Sequence, residues 1–313
     1  MGGELRGTVV VCTFNRAPVL RQCLRSLDTQ ICDGDELEIL VVDNGSRDGT
    51  RGVLRDWAVA DARRRWIREP RVGLSHARNA GLRASDRDVV LFIDDDALAP
   101  PTWASAHLRA HRLGSGIGVV GGPVGLVWPY GRPDWMTGSL QQWFSAVDLG
   151  DDSGPYPDGH EPYGTNMSMR RQPALAVGGF DVRFGRRGRR LLSSEERELN
   201  RRLVAAGWGL FYAPDAAVVQ QVLTERLQRR WLLRRGWSQG ISDARYDTVG
   251  RARPRRALAG DAVRELRIAG RCSLRRPPAD DSRLGSVVLA LAHLGAAAEL
   301  ARSSIVAPGP GSE

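Results

Sequence analysis

Three adjacent carboxylates, Asp94, Asp95 and Asp96, follow an apolar run and are the strongest indication of chemistry in the sequence. Neighbouring ionised carboxylates repel one another unless a cation lies between them. Alternate residues of the trio can face the same side, so Asp94 and Asp96 are candidates to hold Mg²⁺ or Mn²⁺ together with phosphate oxygens. The alternative is a helix N-terminus, which also favours acids. The prolines at 100–101 place the next helix several residues later, which favours the metal site.

Polar residues also follow two earlier apolar runs, 8–12 and 38–42. In open parallel sheets, ligands bind outside the carboxyl ends of the strands. We therefore expect one crevice in which the carboxylate trio meets the polar residues Thr13, Asn15, Arg16 and Asp43. No glycine-rich phosphate loop follows the first run, which argues against P-loop NTPases and dinucleotide-binding dehydrogenases.

The elements that must position these residues alternate between strand and helix patterns over the first 130 residues. Continuous β-branched runs such as 8–12 indicate strands buried on both faces, and helically spaced apolar residues separate them. This order predicts an α/β fold with a doubly wound, mostly parallel sheet and flanking helices. Residues 114–162, rich in glycine, proline and aromatic residues, predict a long functional loop. From residue 224 the chain predicts Arg-rich helices.

The sequence resembles the glycosyltransferase family 2 enzymes, which have the GT-A fold. Seven segments in family order carry the resemblance, at 10–16, 41–50, 73–81, 91–97, 164–170, 178–181 and 194–203. The resemblance implies a GT-A catalytic domain over 1–222, with a nucleotide-sugar half to about residue 127 and an acceptor half over 128–222. An Arg-rich, mainly helical C-terminal extension over 223–313 completes the expected organisation.

The resemblance also implies the reaction, an inverting, metal-dependent transfer of a sugar from a nucleoside-diphosphate sugar to an acceptor hydroxyl. Asp96 is the expected main metal ligand, and Asp94 is expected to help position the nucleotide or the metal. Asp43 is expected to accept a base N–H, and Arg78 to approach the pyrophosphate oxygens. The expected donor-binding residues are Thr13, Asn15, Arg16, Asp43, Arg78 and Asp94.

Family members carry a Glu-Asp pair just before a helix of the form ExxxRL, and here the pair is Glu195 and Glu196. Either carboxylate is a candidate base for the acceptor proton, while acids at a helix N-terminus need no catalytic role. A second departure from the family is Gln220, where relatives usually have a histidine that can approach the metal or the diphosphate. The two departures leave open a degraded or specialised active site.

Acceptor contacts are expected from the aromatic residues of the long loop, because aromatic faces stack on sugar rings. The alternative is that these residues pin the loop to the sheet. The expected acceptor-side residues are Trp128, Trp135, Thr165 and Asn166. A mobile cationic flap over the diphosphate is expected from Arg183, Arg186, Arg187, Arg189 and Arg190. The acceptor itself is left open between a saccharide, a lipid-linked molecule and a small metabolite.

The net charge of +9 is concentrated between residues 224 and 276, which hold 15 arginines and five acidic residues. This basic block predicts either peripheral contact with an anionic membrane or a solvated helical surface. The short polar N-terminus, the four cysteines and the lack of a run of about 18 uncharged apolar residues favour a cytoplasmic protein, or one peripheral at the inner face of the membrane.

Two other functions share some of these sequence features. A sugar-nucleotide pyrophosphorylase shares the βαβ plan and a metal-bound nucleotide, but it should have a GxGxR-type loop after the first strand, where residues 13–16 stand. A non-enzymatic nucleic-acid-binding protein should be basic throughout, whereas the charge here is confined to one block. No nucleic-acid partner is therefore expected.

Overall fold

The computed structural model describes residues 4–31, 34–136, 138–188, 190–249, 255–274 and 283–306. The chain forms two compact units. The first contains residues up to 129 together with 145–183 and 195–222, and the second contains 130–144, 184–194 and the chain from 223 onward. Arg189 of the expected flap lies outside the described residues.

The regular elements of both units are as follows. The strands are β1 (Arg6–Thr13), β2 (Glu36–Asp43), β3 (Arg64–Arg68), β4 (Val89–Asp94), β5 (Ala97–Leu98), β6 (Ile117–Gly121), β7 (Val124–Val127), β8 (Gly154–Pro155), β9 (Asn166–Arg170), β10 (Gly209–Tyr212) and β11 (Val218–Gln221). The helices are α1 (Ala17–Asp28), α2 (Thr50–Ala58), α3 (Leu74–Ala84), α4 (Trp103–Arg112), α5 (Gly138–Gln141), α6 (Arg171–Ala176), α7 (Glu195–Ala205), α8 (Arg229–Thr248), α9 (Arg255–Leu274) and α10 (Arg283–Val306).

The first unit is built on an eight-stranded sheet in the order β3-β2-β1-β4-β9-β6-β10-β8. Strands β1 to β4 run parallel to one another, and β6 and β10 form a second parallel pair. Strand β9 lies antiparallel between β4 and β6. A smaller sheet joins β5, β11 and β7. The predicted α/β fold with a mostly parallel sheet and flanking helices is confirmed.

Close packing of α3 on the sheet explains how this helix reaches the strand ends. The side chains of Val9, Val10 and Val11 in β1 are at most 1% exposed, so both faces of the strand are covered. A Cβ atom at Gly81 would lie 2.4 Å from Val10 Cγ1. Only glycine allows this approach, which holds α3 and its Arg78 against the centre of the sheet.

The prediction of one long loop over 114–162 is wrong, because β6 and β7 occupy its first part and the short elements α5 and β8 lie farther along it. Val119 and Val120 of β6 are fully buried in the sheet. The glycines that suggested a loop serve a close backbone approach instead: a Cβ atom at Gly122 would lie 2.2 Å from the Ala216 carbonyl oxygen. Glycine therefore marks tight packing here rather than a break in regular structure.

The second unit consists mainly of α8, α9 and α10, which confirms the predicted helical C-terminal region. Helices α8 and α10 pack backbone to backbone, since a Cβ atom at Gly240 would lie 1.7 Å from the Ala292 carbonyl oxygen. By length and composition, the segment Leu284–Ser304 of α10 is apolar enough to cross a membrane, and half of it is buried within the fold. Its Glu299 accepts a hydrogen bond from Arg245 of α8 at 2.8 Å.

Candidate active site

The register of the parallel strands brings their polar ends to one edge of the sheet. Thr13 lies opposite Asp43, and Cys12 lies opposite Asp94. Beyond β1, Asn15 adopts a left-handed conformation with φ 54°, and its backbone N–H donates to Ser46 Oγ at 2.9 Å. The side chains that follow the three strands therefore meet, as expected for ligands that bind at the carboxyl ends of a parallel sheet.

Arg16 and Thr13 hold the carboxylate trio from the side of β1. Arg16 Nη1 donates to Asp95 Oδ1 at 3.1 Å and to Asp96 Oδ2 at 2.8 Å, and Thr13 Oγ1 donates to Asp95 Oδ2 at 2.7 Å. Burial raises the pKa of Asp95 to about 6, although Arg16 opposes the rise. Asp95, for which the sequence suggested no role, thus joins the ends of β1 and β4.

Asp43 is fully buried at the end of β2. Its Oδ1 accepts the Ser46 backbone N–H at 2.8 Å, and its Oδ2 accepts Arg51 Nε at 3.1 Å. Arg51 is not among the residues expected from the sequence, although it directly follows one of the family segments. The carboxylate is thus held in place by protein donors, and its contact with a nucleotide base stays a prediction.

Arg78 lies between two carboxylates in the interior of the site. Nη1 donates to Glu195 Oε1 at 2.6 Å, and Nη2 donates to Asp94 Oδ1 at 3.3 Å. The side chain is 3% exposed, and a Cβ atom at Gly164 would lie 2.2 Å from Nη2. Burial opposes the charge on Arg78, but Glu195 and Asp94 outweigh it and raise its pKa. The guanidinium therefore links the trio to the start of α7.

The two glutamates at the start of α7 have different surroundings. Glu195 is 3% exposed and paired with Arg78. Glu196 is half-buried, and its Oε1 accepts the Gly164 N–H at 3.5 Å, the limit of a hydrogen bond. Its Oε2 is buried and has no hydrogen-bond partner among the described residues. Of the pair, Glu195 is held tightly by Arg78, and Glu196 is held more loosely by protein donors.

The two polar residues at the start of β9 face different ways. Thr165 Oγ1 donates to Asp94 Oδ2 at 2.7 Å, which places this side chain in the site. Asn166 is 1% exposed. Its Oδ1 accepts Trp103 Nε1 at 2.8 Å and bonds His107 Nε2 at 3.0 Å, and its Nδ2 donates to two carbonyl oxygens. The Asn166 amide therefore has no hydrogen-bonding capacity left for an acceptor.

A buried polar chain behind the site continues from Asn166 across α4 and β9. Ser168 Oγ lies 2.9 Å from His107 Nδ1 and 3.0 Å from His111 Nε2. Burial lowers the pKa of His107 to about 4 and that of His111 to about 3, so both rings are neutral at pH 7. This polar chain fixes the beginning of β9, and its residues other than Asn166 were not expected from the sequence. The signal was the helical spacing of the two histidines at positions 107 and 111, which puts them on one face of α4.

Gln220 of β11 lies beside the carboxylate that is expected to hold the metal. Its Nε2 donates to Asp96 Oδ1 at 3.3 Å, and its Oε1 is buried without a hydrogen-bond partner among the described residues. Within those residues, no group of three or more His, Cys, Asp and Glu side chains is arranged to hold a metal ion. Carboxylate and amide oxygens suit Mg²⁺ and Mn²⁺, so Asp94, Asp96 and Gln220 fit a divalent cation by donor type.

The remaining predicted residues are divided between the two units. Trp128 belongs to the first unit, whereas Trp135 belongs to the second, where its ring centre lies 5.8 Å from Arg229 Cζ. The expected flap is divided as well. Arg183 pairs with Asp181 in the first unit, and the backbones of Arg187 and Arg190 bond each other in the second. A stacking role for the tryptophans stays a prediction.

Comparison with known proteins gives the context for this geometry. The chain is 27% identical over 248 residues to a glucosyl-dolichyl phosphate glucuronosyltransferase of Haloferax volcanii, covering 78% of each chain. It is 27% identical over 241 residues to the succinoglycan biosynthesis protein ExoM of Rhizobium meliloti, covering 75% of this chain and 73% of that one.

Among solved structures, the mannosyltransferase PcManGT of Pyrobaculum calidifontis, in complex with GDP-Man and Mn²⁺, matches with a TM-score of 0.57 and 22% identity. The match covers 98% of this chain and 77% of that one, and it shows a shared GT-A fold. The sequence model of the family described as glycosyl transferase family 2 matches residues 8–178, more than half of the chain. The chain belongs to glycosyltransferase family 2 and is a glycosyltransferase.

Proposed function

We propose that this glycosyltransferase is an inverting, metal-dependent enzyme that moves a sugar from a nucleoside-diphosphate sugar to an acceptor hydroxyl. The observation that carries the proposal is the contrast between two adjacent glutamates. Glu195 is fixed by Arg78 at 2.6 Å, whereas Glu196 accepts the Gly164 N–H at 3.5 Å, a much looser contact. Glu196 Oε2 accepts no hydrogen bond from the described residues. An oxygen that protein donors leave open is suited to accept the proton of a bound hydroxyl.

In the proposed reaction, the acceptor oxygen bonds to the anomeric carbon while the bond from that carbon to the diphosphate oxygen breaks. Glu196 takes the proton of the attacking hydroxyl, and the electron pair of the broken bond leaves on the diphosphate. A single displacement from the opposite face inverts the anomeric centre, through a transition state with oxocarbenium character. Arg78 and Glu195 hold the start of α7, from which Glu196 extends.

Asp96 and Asp94 are the proposed metal ligands. A bound Mg²⁺ or Mn²⁺ would neutralise the charge that develops on the leaving diphosphate. The carboxylate and amide oxygens in the site support this assignment, as does the Mn²⁺ in the structural neighbour with GDP-Man. Arg16, with a quarter of its side chain exposed, is proposed to face the donor with Thr13, Asn15 and Asp43.

Arg78 has a different proposed role from the one its motif implies. The resemblance places it near the pyrophosphate, but its side chain is 3% exposed and forms ion pairs with two carboxylates, Asp94 and Glu195. We propose that Arg78 acts as a positioning residue. It holds Asp94, on the donor side, at a fixed distance from Glu195, the neighbour of the proposed base.

The acceptor is proposed to be lipid-linked or a growing polysaccharide. The names of the dolichyl phosphate and succinoglycan relatives support these two classes. Residues 1–222 are proposed to contain the catalytic machinery, with Trp128 and Thr165 on the acceptor side. The basic block over 224–276 and the apolar segment Leu284–Ser304 support peripheral contact with the inner face of the membrane.

The test is a transfer assay with a panel of nucleotide sugars, with Mg²⁺, with Mn²⁺ and with EDTA. Glu196→Gln should lower turnover by about 10²–10⁴-fold with little change in donor affinity, because the amide keeps the shape and loses the basicity. Asp96→Asn should lower transfer by a similar order and leave the fold intact. Full activity in EDTA would exclude the metal-dependent reaction.

Two matched variants identify the base within the pair. Glu195→Gln should be milder than Glu196→Gln, since Glu195 acts through position. Glu196→Asp restores the family residue, and retained activity would show that the site accepts either side-chain length. If Glu195→Gln is inactive and Glu196→Gln is active, the base is Glu195 and the assignment above is wrong.

A further inference from the structure

Gln220 is placed beside Asp96 by strand pairing. In the antiparallel pair of β11 and β5, Gln220 lies opposite Ala97, the residue after Asp96. The backbone N–H of Gln221 donates to the Asp96 carbonyl oxygen at 2.8 Å, which locks this register. The Gln220 side chain is 2% exposed and points to the Asp96 carboxylate.

Only one of the two polar atoms of the Gln220 amide is hydrogen-bonded within the described residues. Its Nε2 makes one long contact of 3.3 Å with Asp96 Oδ1, and its Oε1 has no partner among the residues that the structure describes. Buried carbonyl oxygens are nearly always paired, so an open one needs an explanation. Arg16 already donates to Asp96 Oδ2 at 2.8 Å, so the group that still needs a donor or a cation is Gln220 Oε1, because a buried carbonyl oxygen without one is unfavourable.

We propose that Gln220 Oε1 is a ligand of the divalent cation held by Asp96. This inference rests on the proposed function. It gives the site oxygen ligands only, where a histidine would supply a nitrogen. Oxygen donors suit Mg²⁺ and Mn²⁺, whereas imidazole favours later metals such as Co²⁺ and Zn²⁺. Glutamine in place of a histidine therefore makes the site prefer hard cations over the later transition metals.

A competing explanation is that Gln220 acts only as a hydrogen-bond donor that orients Asp96. The two explanations predict opposite results for the substitution Gln220→Glu, which keeps an oxygen at this position and loses the N–H. A ligand role predicts tighter binding of the cation, whereas an orienting role predicts weaker binding, since two buried carboxylates without the N–H repel each other.

The experiment is calorimetric titration of the full chain with MgCl₂, MnCl₂ or CoCl₂ alone, without nucleotide or acceptor. Asp96→Asn defines the binding that occurs outside the site. Gln220→Leu should weaken Mg²⁺ and Mn²⁺ by at least about tenfold, the lower end of what a lost metal-site interaction costs. Gln220→His should tighten Co²⁺ by about tenfold relative to Mg²⁺. The Co²⁺ absorption spectrum should change in the Gln220→His variant, because a nitrogen replaces an oxygen in the ligand field.

The outcomes separate this inference from the proposed function. If Asp96→Asn abolishes Mg²⁺ binding and Gln220→Leu binds Mg²⁺ like the unmodified chain, the ligand role of Gln220 is wrong and the metal site stands. Weaker Mg²⁺ binding by Gln220→Glu would also overturn the ligand role. If the unmodified chain and Asp96→Asn bind all three metals equally, both the ligand role and the proposed metal site are wrong.

Discussion

Replacing Arg78 by methionine tests whether its guanidinium joins the two halves of the site. Methionine keeps most of the volume of the side chain and removes the charge and both hydrogen bonds. Glu195, which is 3% exposed, would lose its 2.6 Å partner. Asp94 would lose a weaker contact of 3.3 Å, but its side chain is 28% exposed and also accepts Thr165. Most of the cost therefore arises at Glu195.

Removing one partner of a buried ion pair costs about 3–5 kcal/mol in the free energy of unfolding, because the remaining charge is buried without compensation. We expect Arg78→Met to lose this amount at pH 8. In the double variant Arg78→Met with Glu195→Gln, the buried charge is absent, and about 2 kcal/mol or more of the loss should be recovered.

The assay is urea unfolding followed by tryptophan fluorescence for the unmodified chain, both single variants and the double variant. Arg109→Met serves as the control, since Arg109 pairs with Asp215 in an exposed ion pair and should change little. An Arg78→Met variant as stable as the control would refute the reasoning. So would a double variant whose loss equals the sum of the two single losses.

Three further predictions concern other parts of the chain. Gly240→Leu should unfold the second unit, because even a Cβ atom would lie 1.7 Å from the Ala292 carbonyl oxygen, and circular dichroism should show lost helicity. Since the folded-state pKa values of His107 and His111, about 4 and 3, lie below the unfolded value of about 6.5, their stabilisation is complete above pH ~6.5. It should fall below that pH by up to about 1.4 kcal/mol per unit for each ring; urea midpoints that do not change between about pH 7 and 5 would contradict this. Binding to anionic vesicles should weaken, most at low salt, when alanine replaces Arg229, Arg230, Arg234 and Arg235, and a quadruple variant that binds like the unmodified chain would exclude this surface.

The order of strands and helices from β1 to β4 was predictable because it depends on local patterns. Strand β1 is a continuous β-branched run, and its burial on both faces follows from that composition. The convergence of Thr13, Asp43 and Asp94 was predictable for the same reason, since parallel strands end at one edge of the sheet. Strands β6 and β7 were not predictable, because their glycines indicate a loop until the partner backbone is known.

The sequence determined that two acids stand together at the start of α7, and it left open which is the base. Successive helical residues point about 100° apart, so one glutamate of the pair meets Arg78 and the other does not. That choice depends on where α3 packs, and Arg78 of α3 is 117 residues away from Glu195 along the chain. The place of Gln220 beside Asp96 likewise depends on the register of β11 on β5. The residues available for chemistry are thus a property of the sequence, whereas their pairing depends on contacts between distant segments, which only the tertiary structure decides.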